Sequence, residues 1–350
     1  MTKTRVLIVD DSALFRKILG QVLSRDPEIE IVGTAEDPYD AREKIKALNP
    51  DVITLDIEMP NMDGLSFLDK IMRLRPMPVV MVSTLTQHGA EAALKALEMG
   101  AVDYHPKPTA GVMDRLEAEA EELCAKVKGA AKAKAGYGHA LPAKPKATPK
   151  RVRPAGYRPG AWLLAIGSST GGVEALHQII PNLPEDCPPT VITQHMPATF
   201  TDTFAKRLNQ VSAATVAEAR DGDVLEPGRV FVAPGGDYHL EVHRDGTRLV
   251  CRLIEGPLTS GHRPSVDVLF TSVAHVAAPK AIGVILTGMG RDGASGLKLI
   301  RDAGGRTIGQ NEESCVVYGM PRVAHELGGV EVQLGLGRIA DKILELCNAA

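Results

Sequence analysis

The stretch Val6-Leu7-Ile8-Val9-Asp10-Asp11 near the N-terminus decides the fold class of the first half of the chain. Four aliphatic residues in a row, without polar alternation, are typical of a parallel-sheet strand that is buried on both faces. Such runs alternate with segments of helical spacing, which predicts βαβ units and an α/β fold. The other predicted strands here are Ile29–Ala35, Val52–Leu55, Val79–Val82 and Val102–His105, with helices at Ala13–Leu23, Pro38–Leu48, Ala90–Met99 and Met113–Val127.

The same alternation returns after residue 160 and predicts a second α/β domain with a doubly wound, mostly parallel sheet. Three of its segments, Val230–Ala233, His239–Val242 and Arg248–Leu253, are predicted as strands of a hairpin region. The remaining predicted strands are Trp162–Ile166, Thr190–Thr193, Ala281–Leu286 and Thr307–Gln310. The predicted helices are one ending at Ile180, Phe200–Leu208, Asp267–Val276, Gly296–Ala303, Pro321–Leu327 and Ile339–Cys347.

Between the two halves, residues 125–160 carry seven Lys and three Arg but no Asp or Glu. The same residues include five Pro, five Gly and nine Ala, so they bury too little apolar surface to offset the entropy of ordering. We therefore expect a first domain at 4–121, a basic linker at 122–159 and a second domain at 160–346. The simpler interpretation of the linker is a solvated tether, and the alternative is contact with an acidic surface or nucleic acid.

The composition is that of an ordinary globular protein, with 350 residues, 44% of them hydrophobic and 24% charged. No apolar run approaches the roughly 18 residues that span a membrane, so we expect no membrane insertion. The four aliphatic residues before Asp10 are too few for a signal peptide. Five scattered cysteines form no CxxC pair, so we expect reduced thiols in a cytoplasmic protein.

Carboxylates follow two predicted strands of the first domain, with Asp10 and Asp11 after one and Asp56 after another. The carboxyl ends of parallel strands meet at one edge of a sheet, where open α/β sheets place their sites. Three carboxylates there would repel one another unless a hard cation lay between them, and Mg²⁺ suits such ligands. Ser83 and Lys107 follow further strands at this edge and could hold phosphoryl oxygens. The set predicts an aspartate that accepts phosphate, although a single Asp here could simply cap a helix.

Over about residues 4–121 the sequence resembles the receiver domains of response regulators. The resemblance implies a flavodoxin-like fold with a parallel five-stranded sheet, and phosphorylation of Asp56 by a histidine kinase of the CheA type. It implies that Mg²⁺ is bound by Asp10, Asp11, Asp56 and the backbone carbonyl of Glu58. It also implies that Ser83, Tyr104 and Lys107 form the switch that detects the phosphoryl group. The matching motifs are Val9–Ser12, Leu55–Gly64, Met81–Ser83 and Lys107–Pro108.

A strand, a glycine-rich turn and a helix in the second domain match the pattern G-x-S-x-G, with Ser169 at its centre. Such a turn lifts a serine hydroxyl out of the sheet edge near a helix N-terminus. A phosphate-binding loop of the Walker type is disfavoured because no Lys follows the glycines, and the dinucleotide pattern G-x-G-x-x-G is absent. A plain small-residue turn remains the alternative. The neighbouring Ser168 offers a second hydroxyl.

A serine nucleophile needs a base and an orienting carboxylate. His195 follows a strand directly, whereas His239 and His243 lie on hairpin strands and His262 lies in a loop. The loop Thr287–Gly293 supplies Asp292 as the acid and Met289 as a backbone donor to the oxyanion. A competing order, Ser169–Asp292–His325, would make a conventional esterase, but His325 lies in a predicted helix rather than at a strand end.

The second domain resembles the chemoreceptor methylesterases of the CheB family over about residues 160–346. The resemblance implies Ser169 as nucleophile, His195 as base and Asp292 as acid, with no cofactor for the ester step. It implies hydrolysis of γ-glutamyl methyl esters, and deamidation of glutamines, on methyl-accepting chemotaxis receptors. The matching motifs are Ala165–Gly172, Gln194–Pro197, Ala233–Gly236, His262–Phe270, Gly283–Gly293 and Gln310–Pro321.

A receiver joined to this domain predicts a regulated enzyme. We expect the unphosphorylated receiver to cover the Ser169 edge and phosphorylation of Asp56 to expose it. Two other classes are considered. A DNA-binding output is disfavoured because no helix-turn-helix pattern is present and the basic charge lies in the linker, so we expect no nucleic-acid partner. A pure adaptor with an inactive esterase fold is disfavoured by the candidate triad.

Overall fold

The computed structural model describes residues 3–84, 86–107, 120–133, 157, 159 and 162–348, except for the side chains of residues 83, 84, 87 and 88. The chain forms two compact units, divided between Pro142 and Ala143. No helix among the described residues is long and apolar enough to cross a bilayer. Most of the predicted linker, residues 134–156, lies outside the described residues.

The first unit contains a five-stranded parallel sheet with the strand order β2-β1-β3-β4-β5. This is the flavodoxin-like order, and its direction reverses between β1 and β3. The strand residues 6–9 and 52–55 are almost fully buried, as uninterrupted aliphatic runs require. The elements are β1 (Thr4–Val9), α1 (Ala13–Leu23), β2 (Ile29–Ala35), α2 (Pro38–Leu48), β3 (Val52–Asp56), α3 (Gly64–Leu74), β4 (Val79–Thr84), α4 (Gln87–Glu98), β5 (Asp103–Lys107) and α5 (Ala120–Lys132).

Helix α5 packs on this sheet, within the stretch where a solvated linker was expected. Its apolar residues Leu123, Cys124 and Val127 are buried in one cluster with the core residues of β1 and α1. On its outer side, Lys128 Nζ lies 2.7 Å from both Asp26 Oδ2 and Glu28 Oε2. Part of the basic charge is therefore paired within the first unit, and the packed first unit extends beyond residue 121.

The second unit is built on a seven-stranded sheet with the order β14-β13-β12-β6-β7-β9-β8, and every strand pair in it is parallel. The order reverses between β6 and β12, which makes the carboxyl edge of these two strands the expected location of a site. Strands β10 and β11 form a separate antiparallel hairpin. The strands are β6 (Leu163–Ser168), β7 (Thr190–Gln194), β8 (Thr215–Glu218), β9 (Arg229–Val232), β10 (Tyr238–Asp245), β11 (Arg248–Glu255), β12 (Ala281–Ile285), β13 (Arg306–Gln310) and β14 (Val332–Leu334).

The helices of this unit alternate with its strands along the chain, as in a doubly wound fold. They are α6 (Gly172–Ile179), α7 (Ala198–Val211), α8 (Val266–Ala277), α9 (Ala294–Asp302), α10 (Met320–Glu326) and α11 (Leu336–Leu346), with short 3₁₀ turns at Ile180–Asn182 and Glu312–Ser314. All five cysteines of the chain are free and buried. Burial raises the pKa of Cys187, Cys251, Cys315 and Cys347 to about 12, so these thiols are unreactive core residues.

The α/β fold class is confirmed, and some elements differ from the sequence prediction. The placement of Val230–Ala233 in a hairpin is wrong, because β9 pairs in parallel with both β7 and β8. Helix α3 and the short strands β8 and β14 were not predicted. The residues of β8 and β14 are few and partly exposed, and so they lack the long aliphatic run that revealed the central strands.

Candidate functional site

Two buried carboxylates and a lysine meet at the carboxyl edge of the first sheet. Lys107 Nζ, at the end of β5, donates to Asp10 Oδ2 and Asp56 Oδ2 at 2.8 Å each. The same ammonium lies 4.4 Å from the centre of the Phe15 ring. The side chains of Asp10 and Asp56 are only 2% and 5% exposed. Solvent therefore screens their negative charge poorly, and the Lys107 ammonium balances part of it. The structure thus joins the three strand ends that the sequence placed at one edge.

The donor set at this edge fits a hard divalent cation. Asp10, Asp11 and Asp56 each offer a carboxylate oxygen, and these oxygens lie within 4.8 Å of one another. Burial raises the pKa of Asp56 to about 6, and the Lys107 ammonium opposes this shift without cancelling it. Carboxylate oxygens in such a cluster are the ligands that Mg²⁺ prefers.

The other residues predicted for the receiver site are Glu58, Tyr104 and Ser83, and they have different environments. The amide of Glu58 donates to Asp56 Oδ1 at 3.4 Å, which places its peptide beside that carboxylate. Tyr104 is buried, and Lys126 Nζ lies 5.5 Å from its ring centre. The backbone of Ser83 pairs with Pro106, but the Ser83 side chain lies outside the described part of the chain.

In the second unit, β6 ends in a tight turn that distinguishes its two serines. Ser168 is fully buried, and its Oγ donates to Gln194 Oε1 at 2.7 Å. Ser169 is the first residue after the strand and is partly exposed. A Cβ on Gly172 would lie 2.1 Å from Gln194 Oε1, so the turn requires glycine there. The geometry therefore leaves the hydroxyl of Ser169, and not that of Ser168, at the sheet edge.

His195 stands at the end of the neighbouring strand and is joined to Asp292. Residues 168 and 194 are partners in the β6–β7 ladder, and the amide of His195 donates to the Ser168 carbonyl at 3.1 Å. Nε2–H of His195 donates to Asp292 Oδ2 at 2.8 Å. The other ring nitrogen, Nδ1, is buried and has no hydrogen-bond partner among the described residues. The histidine ring is thus anchored through Nε2 and presents Nδ1.

The carboxylate of Asp292 is held by several donors at the N-terminus of α8. Ser265 Oγ donates to it at 2.7 Å, and the amides of Val266 and Asp267 donate at 2.7 and 3.0 Å. Burial alone would raise its pKa, but the bonds from His195, Ser265 and Val266 outweigh burial and lower it. The helix dipole favours the same anion. Asp292 is therefore an anion near neutral pH and lies beside the imidazole.

The remaining candidate histidines have other environments. His239 is buried, with Nδ1 accepting from the amide of Ser265 at 3.1 Å and Nε2 donating to the Pro257 carbonyl at 2.9 Å. Both of its nitrogens are engaged, which fits a structural role. His325 is exposed on α10, and the hydrogen-bonded histidine of Asp292 is His195. His262, which the sequence placed in an unremarkable loop, stacks on His195 with 3.7 Å between ring centres.

The loop after β12 brings Met289 beside the serine turn. The amide of Ser169 donates to the Thr287 carbonyl at 3.0 Å. A Cβ on Gly288 would lie 2.8 Å from the Ser169 Cβ, so glycine allows this close approach. The backbone of Met289 follows directly, which places it next to the candidate nucleophile.

Gln194 and Ser265 support the site and were not singled out from the sequence. Gln194 Nε2 donates to the carbonyls of Ser169 and His195 at 3.0 and 3.1 Å, and so joins the two strand ends. Ser265 is also the N-cap of α8, accepting from the amide of Val268 at 3.4 Å. A serine directly before a predicted helix is a capping signal, and it was the one available clue to Ser265.

A parallel sheet with a serine turn, a histidine and a buried carboxylate at its switch point has the residue types of a hydrolase of the Ser-His-Asp class, and the same chain carries a second α/β unit with an acidic cluster at its sheet edge. The family model of the CheB methylesterase matches residues 164–343, and that of the response regulator receiver domain matches residues 6–119. The chain belongs to the CheB methylesterase family and carries a receiver domain. The second unit therefore matches a methylesterase family rather than the DNA-binding output domain considered above.

Similar proteins align over the whole chain. A protein-glutamate methylesterase/protein-glutamine glutaminase 1 of Caulobacter vibrioides is 60% identical over 100% of this chain and 99% of its own length. One of the same description from Rhizobium johnstonii is 57% identical over 99% and 97%. The crystal structure of the Thermotoga maritima CheB methylesterase catalytic domain is 41% identical, covers 53% of this chain and 98% of that chain, and superposes with a TM-score of 0.52. The second unit is thus an esterase, and these relatives do not support the hypothesis of a pure adaptor with an inactive esterase fold.

Proposed function

We propose that this protein hydrolyses γ-glutamyl methyl esters, and deamidates selected glutamines, on methyl-accepting chemotaxis receptors, and that phosphorylation of Asp56 activates it. The observation that carries the proposal is the 2.8 Å bond between His195 Nε2 and Asp292 Oδ2 at the strand ends beside the Ser169 turn. The glutamyl and glutaminyl substrates are inferred from the full-length relatives, which are protein-glutamate methylesterases/protein-glutamine glutaminases.

In the proposed reaction, His195 Nδ1 is the base. Nε2–H donates to the ionised Asp292, so the neutral imidazole has its lone pair on Nδ1. Ser169 Oγ forms a bond to the ester carbonyl carbon and passes its proton to Nδ1. The methoxy group leaves with that proton as methanol. This ring orientation is the reverse of the chymotrypsin arrangement, in which the carboxylate binds Nδ1.

Deacylation uses the same groups. Water adds to the glutamyl–Ser169 ester while Nδ1 takes a proton from it, and the proton returns to Ser169 Oγ when the ester bond breaks. With a glutamine substrate the first leaving group is ammonia instead of methanol. Asp292 stabilises the imidazolium that forms twice in the cycle. The amide of Met289 is the proposed donor to the oxyanion, a contact typically worth about 3–4 kcal/mol. No cofactor takes part in these steps.

In the receiver, Asp56 is the proposed phosphate acceptor, and a histidine kinase of the CheA type is the proposed donor. Asp10, Asp11, Asp56 and the Glu58 carbonyl are the proposed Mg²⁺ ligands, since they include the described carboxylate cluster. When bound, Mg²⁺ would neutralise negative charge on the transferring phosphoryl group. Lys107 already contacts the carboxylate of Asp56, and its ammonium would donate to an oxygen of the phosphoryl group after transfer. Ser83 and Tyr104 are the proposed switch residues.

Methanol release from methylated receptor membranes tests the esterase assignment. Ser169→Ala is expected to lower release by at least about 10⁴-fold, because the covalent step is lost. Ser168→Ala, the same chemical change one residue earlier, is expected to keep activity within about tenfold, since it removes a single buried hydrogen bond. If the two variants behave the other way round, or if Ser169→Ala keeps wild-type release, the assignment is wrong.

A further inference from the structure

The imidazole of His262 lies flat against the imidazole of His195. The ring centres are 3.7 Å apart and the ring planes differ by 15°. His195 has its own hydrogen bond to Asp292 through Nε2, so the stack is a second, independent contact on the same ring. The proposed Ser169–His195–Asp292 chemistry gives His262 no part, and the ring contact therefore calls for its own explanation.

The backbone around His262 is fixed by a tight two-residue turn. The amide of Thr259 donates to the His262 carbonyl at 3.1 Å, and the amide of His262 donates to the Thr259 carbonyl at 3.0 Å. The two residues between them, Ser260 and Gly261, have φ values of 53° and 83°. This pattern of two positive φ angles is that of a type I′ turn, which closes a narrow hairpin. The turn therefore fixes the backbone position from which the His262 side chain extends.

The next residue anchors the hairpin to the body of the second unit. Arg263 Nε donates to the Gly236 carbonyl and Nη1 to the Gly256 carbonyl, at 2.7 Å each. One guanidinium thereby joins the hairpin to two separate loops. Two residues further on, Ser265 donates to Asp292. A single short segment therefore supports both neighbours of the base: its carboxylate through Ser265 and its ring face through His262.

A hydrogen bond to one ring nitrogen leaves the imidazole free to swing about that bond. A flat aromatic neighbour on one face blocks the swing, because tilting the ring loses the stacking contact. We propose that His262 is a positioning residue that sets the plane of His195, so that Nδ1 points toward Ser169 while Nε2 keeps its bond to Asp292. The aromatic face would also stabilise the imidazolium that His195 becomes when it takes the serine proton. This inference rests on the proposed role of His195 as the base.

The test compares three substitutions of His262 by the kinetics of methanol release from methylated receptor membranes. His262→Ala removes the ring and is expected to lower kcat by about 10- to 100-fold, because the reacting nitrogen loses its fixed direction. KM is expected to stay within about twofold, since substrate binding is untouched. His262→Phe keeps a flat face without ring nitrogens and is expected to restore kcat to within about fivefold of wild type. His262→Gln keeps a polar side chain without a face and is expected to behave like His262→Ala.

Exposed His243, which lies 2.6 Å from Glu241 Oε2, provides the matched control. His243→Ala is expected to keep wild-type kinetics, and thermal unfolding of each variant shows whether the second unit remains folded. A wild-type kcat in folded His262→Ala, or rescue by Gln and not by Phe, would overturn the inference. Ser169→Ala, assayed in parallel, distinguishes failure of the proposed function from failure of this inference. If Ser169→Ala retains activity, the proposed catalytic assignment fails and not merely the role of His262.

Discussion

Asp56 in the receiver and Asp292 in the esterase unit occupy the same kind of place and have opposite properties. Each lies at the carboxyl edge of a parallel sheet, at the point where the strand order reverses, and each is almost completely buried. Burial raises the pKa of Asp56 to about 6. The pKa of Asp292 is lowered in spite of burial.

Hydrogen-bond donors account for the difference. Asp292 accepts from a histidine, a serine hydroxyl and two amides at a helix N-terminus, all at 2.7 to 3.0 Å. Asp56 accepts one short bond from Lys107 at 2.8 Å and a longer one from the Glu58 amide at 3.4 Å, and it shares the lysine with Asp10. A carboxylate with all its donors supplied remains an anion and does not react. A carboxylate with fewer and longer hydrogen bonds suits the role proposed for Asp56, which is to accept a phosphoryl group and bind a cation.

The largest expected effect comes from removing the anion that is fully hydrogen-bonded. Asp292→Asn keeps the shape of the side chain but loses its charge and leaves a donor facing His195. We expect kcat for methanol release to fall by about 10⁴-fold, in line with loss of the acid in other serine triads. Asp302→Asn, on the exposed end of α9, is the control and is expected to keep wild-type kcat. A loss of tenfold or less for Asp292→Asn would show that the charge is not needed.

The same substitution in the receiver is expected to leave chemistry intact and remove regulation. Asp56→Asn cannot form the acyl phosphate, so a small-molecule phosphodonor with Mg²⁺ is expected to give no increase in methanol release over the basal rate. Chelating Mg²⁺ from the wild type is expected to give the same result, because the phosphoryl transfer loses its charge neutralisation. Basal release is expected to remain within about twofold in both cases, because the Ser169 edge is unchanged. Stimulation that persists in Asp56→Asn would place the phosphorylation elsewhere.

The sequence could locate both sites because strand ends carry their residues to a shared edge. Asp10, Asp56 and Lys107 were placed together from the ends of aliphatic runs alone, and the structure brings them to 2.8 Å contacts. The same reasoning placed Ser169 and His195 at one edge, and the strand ladder puts their preceding residues opposite each other. Parallel pairing makes such predictions possible because its geometry is the same in every α/β sheet.

Contacts made by loops could not be predicted in this way. His262 and Ser265 reach the site from a hairpin and a helix cap that follow no strand of the seven-stranded sheet. Their positions depend on turn geometry and on side-chain anchors such as Arg263. The predicted helix Met113–Val127 overlaps α5 over residues 120–127, and residues 113–119 lie outside the described part of the chain. The rest of α5 was obscured by its lysine-rich composition, which is that of a linker, while a narrow buried stripe packs the helix on the sheet.

A smaller effect is expected when one of the donors to Asp292 is removed. Ser265→Ala deletes a hydrogen bond to the ionised carboxylate and the side-chain cap of α8, and we expect kcat to fall by about tenfold. A carboxylate whose folded pKa is depressed contributes stability above its unfolded pKa, near 3.8, and loses it as pH falls through the folded pKa. The difference in thermal stability between wild type and Ser265→Ala is therefore expected to shrink as pH is lowered from 6 to about 3.

Ser12→Ala is the control that distinguishes the loss of a helix cap from the loss of a hydrogen bond to a charged carboxylate. Ser12 caps α1 by accepting from the amide of Phe15 at 3.3 Å, and its hydroxyl has no recorded bond to a carboxylate among the described residues. Both variants lose a cap worth about 1 kcal/mol. The stability difference for Ser12→Ala is expected to stay constant over the same pH range. Equal pH dependence of the two variants would mean that Ser265 acts only as a cap.

The smallest expected effect concerns Asp26, which like Asp56 is a carboxylate paired with a lysine. Its bond to Lys128 lowers its pKa, in contrast with Asp56, because here that bond outweighs the opposing effect of burial. Lys128→Ala is expected to lower the free energy of unfolding by only about 0.5 kcal/mol, since solvent screens the pair. The loss should be fully present above pH 3.8 and shrink as Asp26 protonates, with the contact to Glu28 as the remainder, and it should decrease with added salt. Lys46→Ala, which breaks a pair within α2, is the control for a purely local contact. A loss of several kcal/mol for Lys128→Ala alone would mean that this pair, rather than the apolar stripe, holds α5 on the sheet.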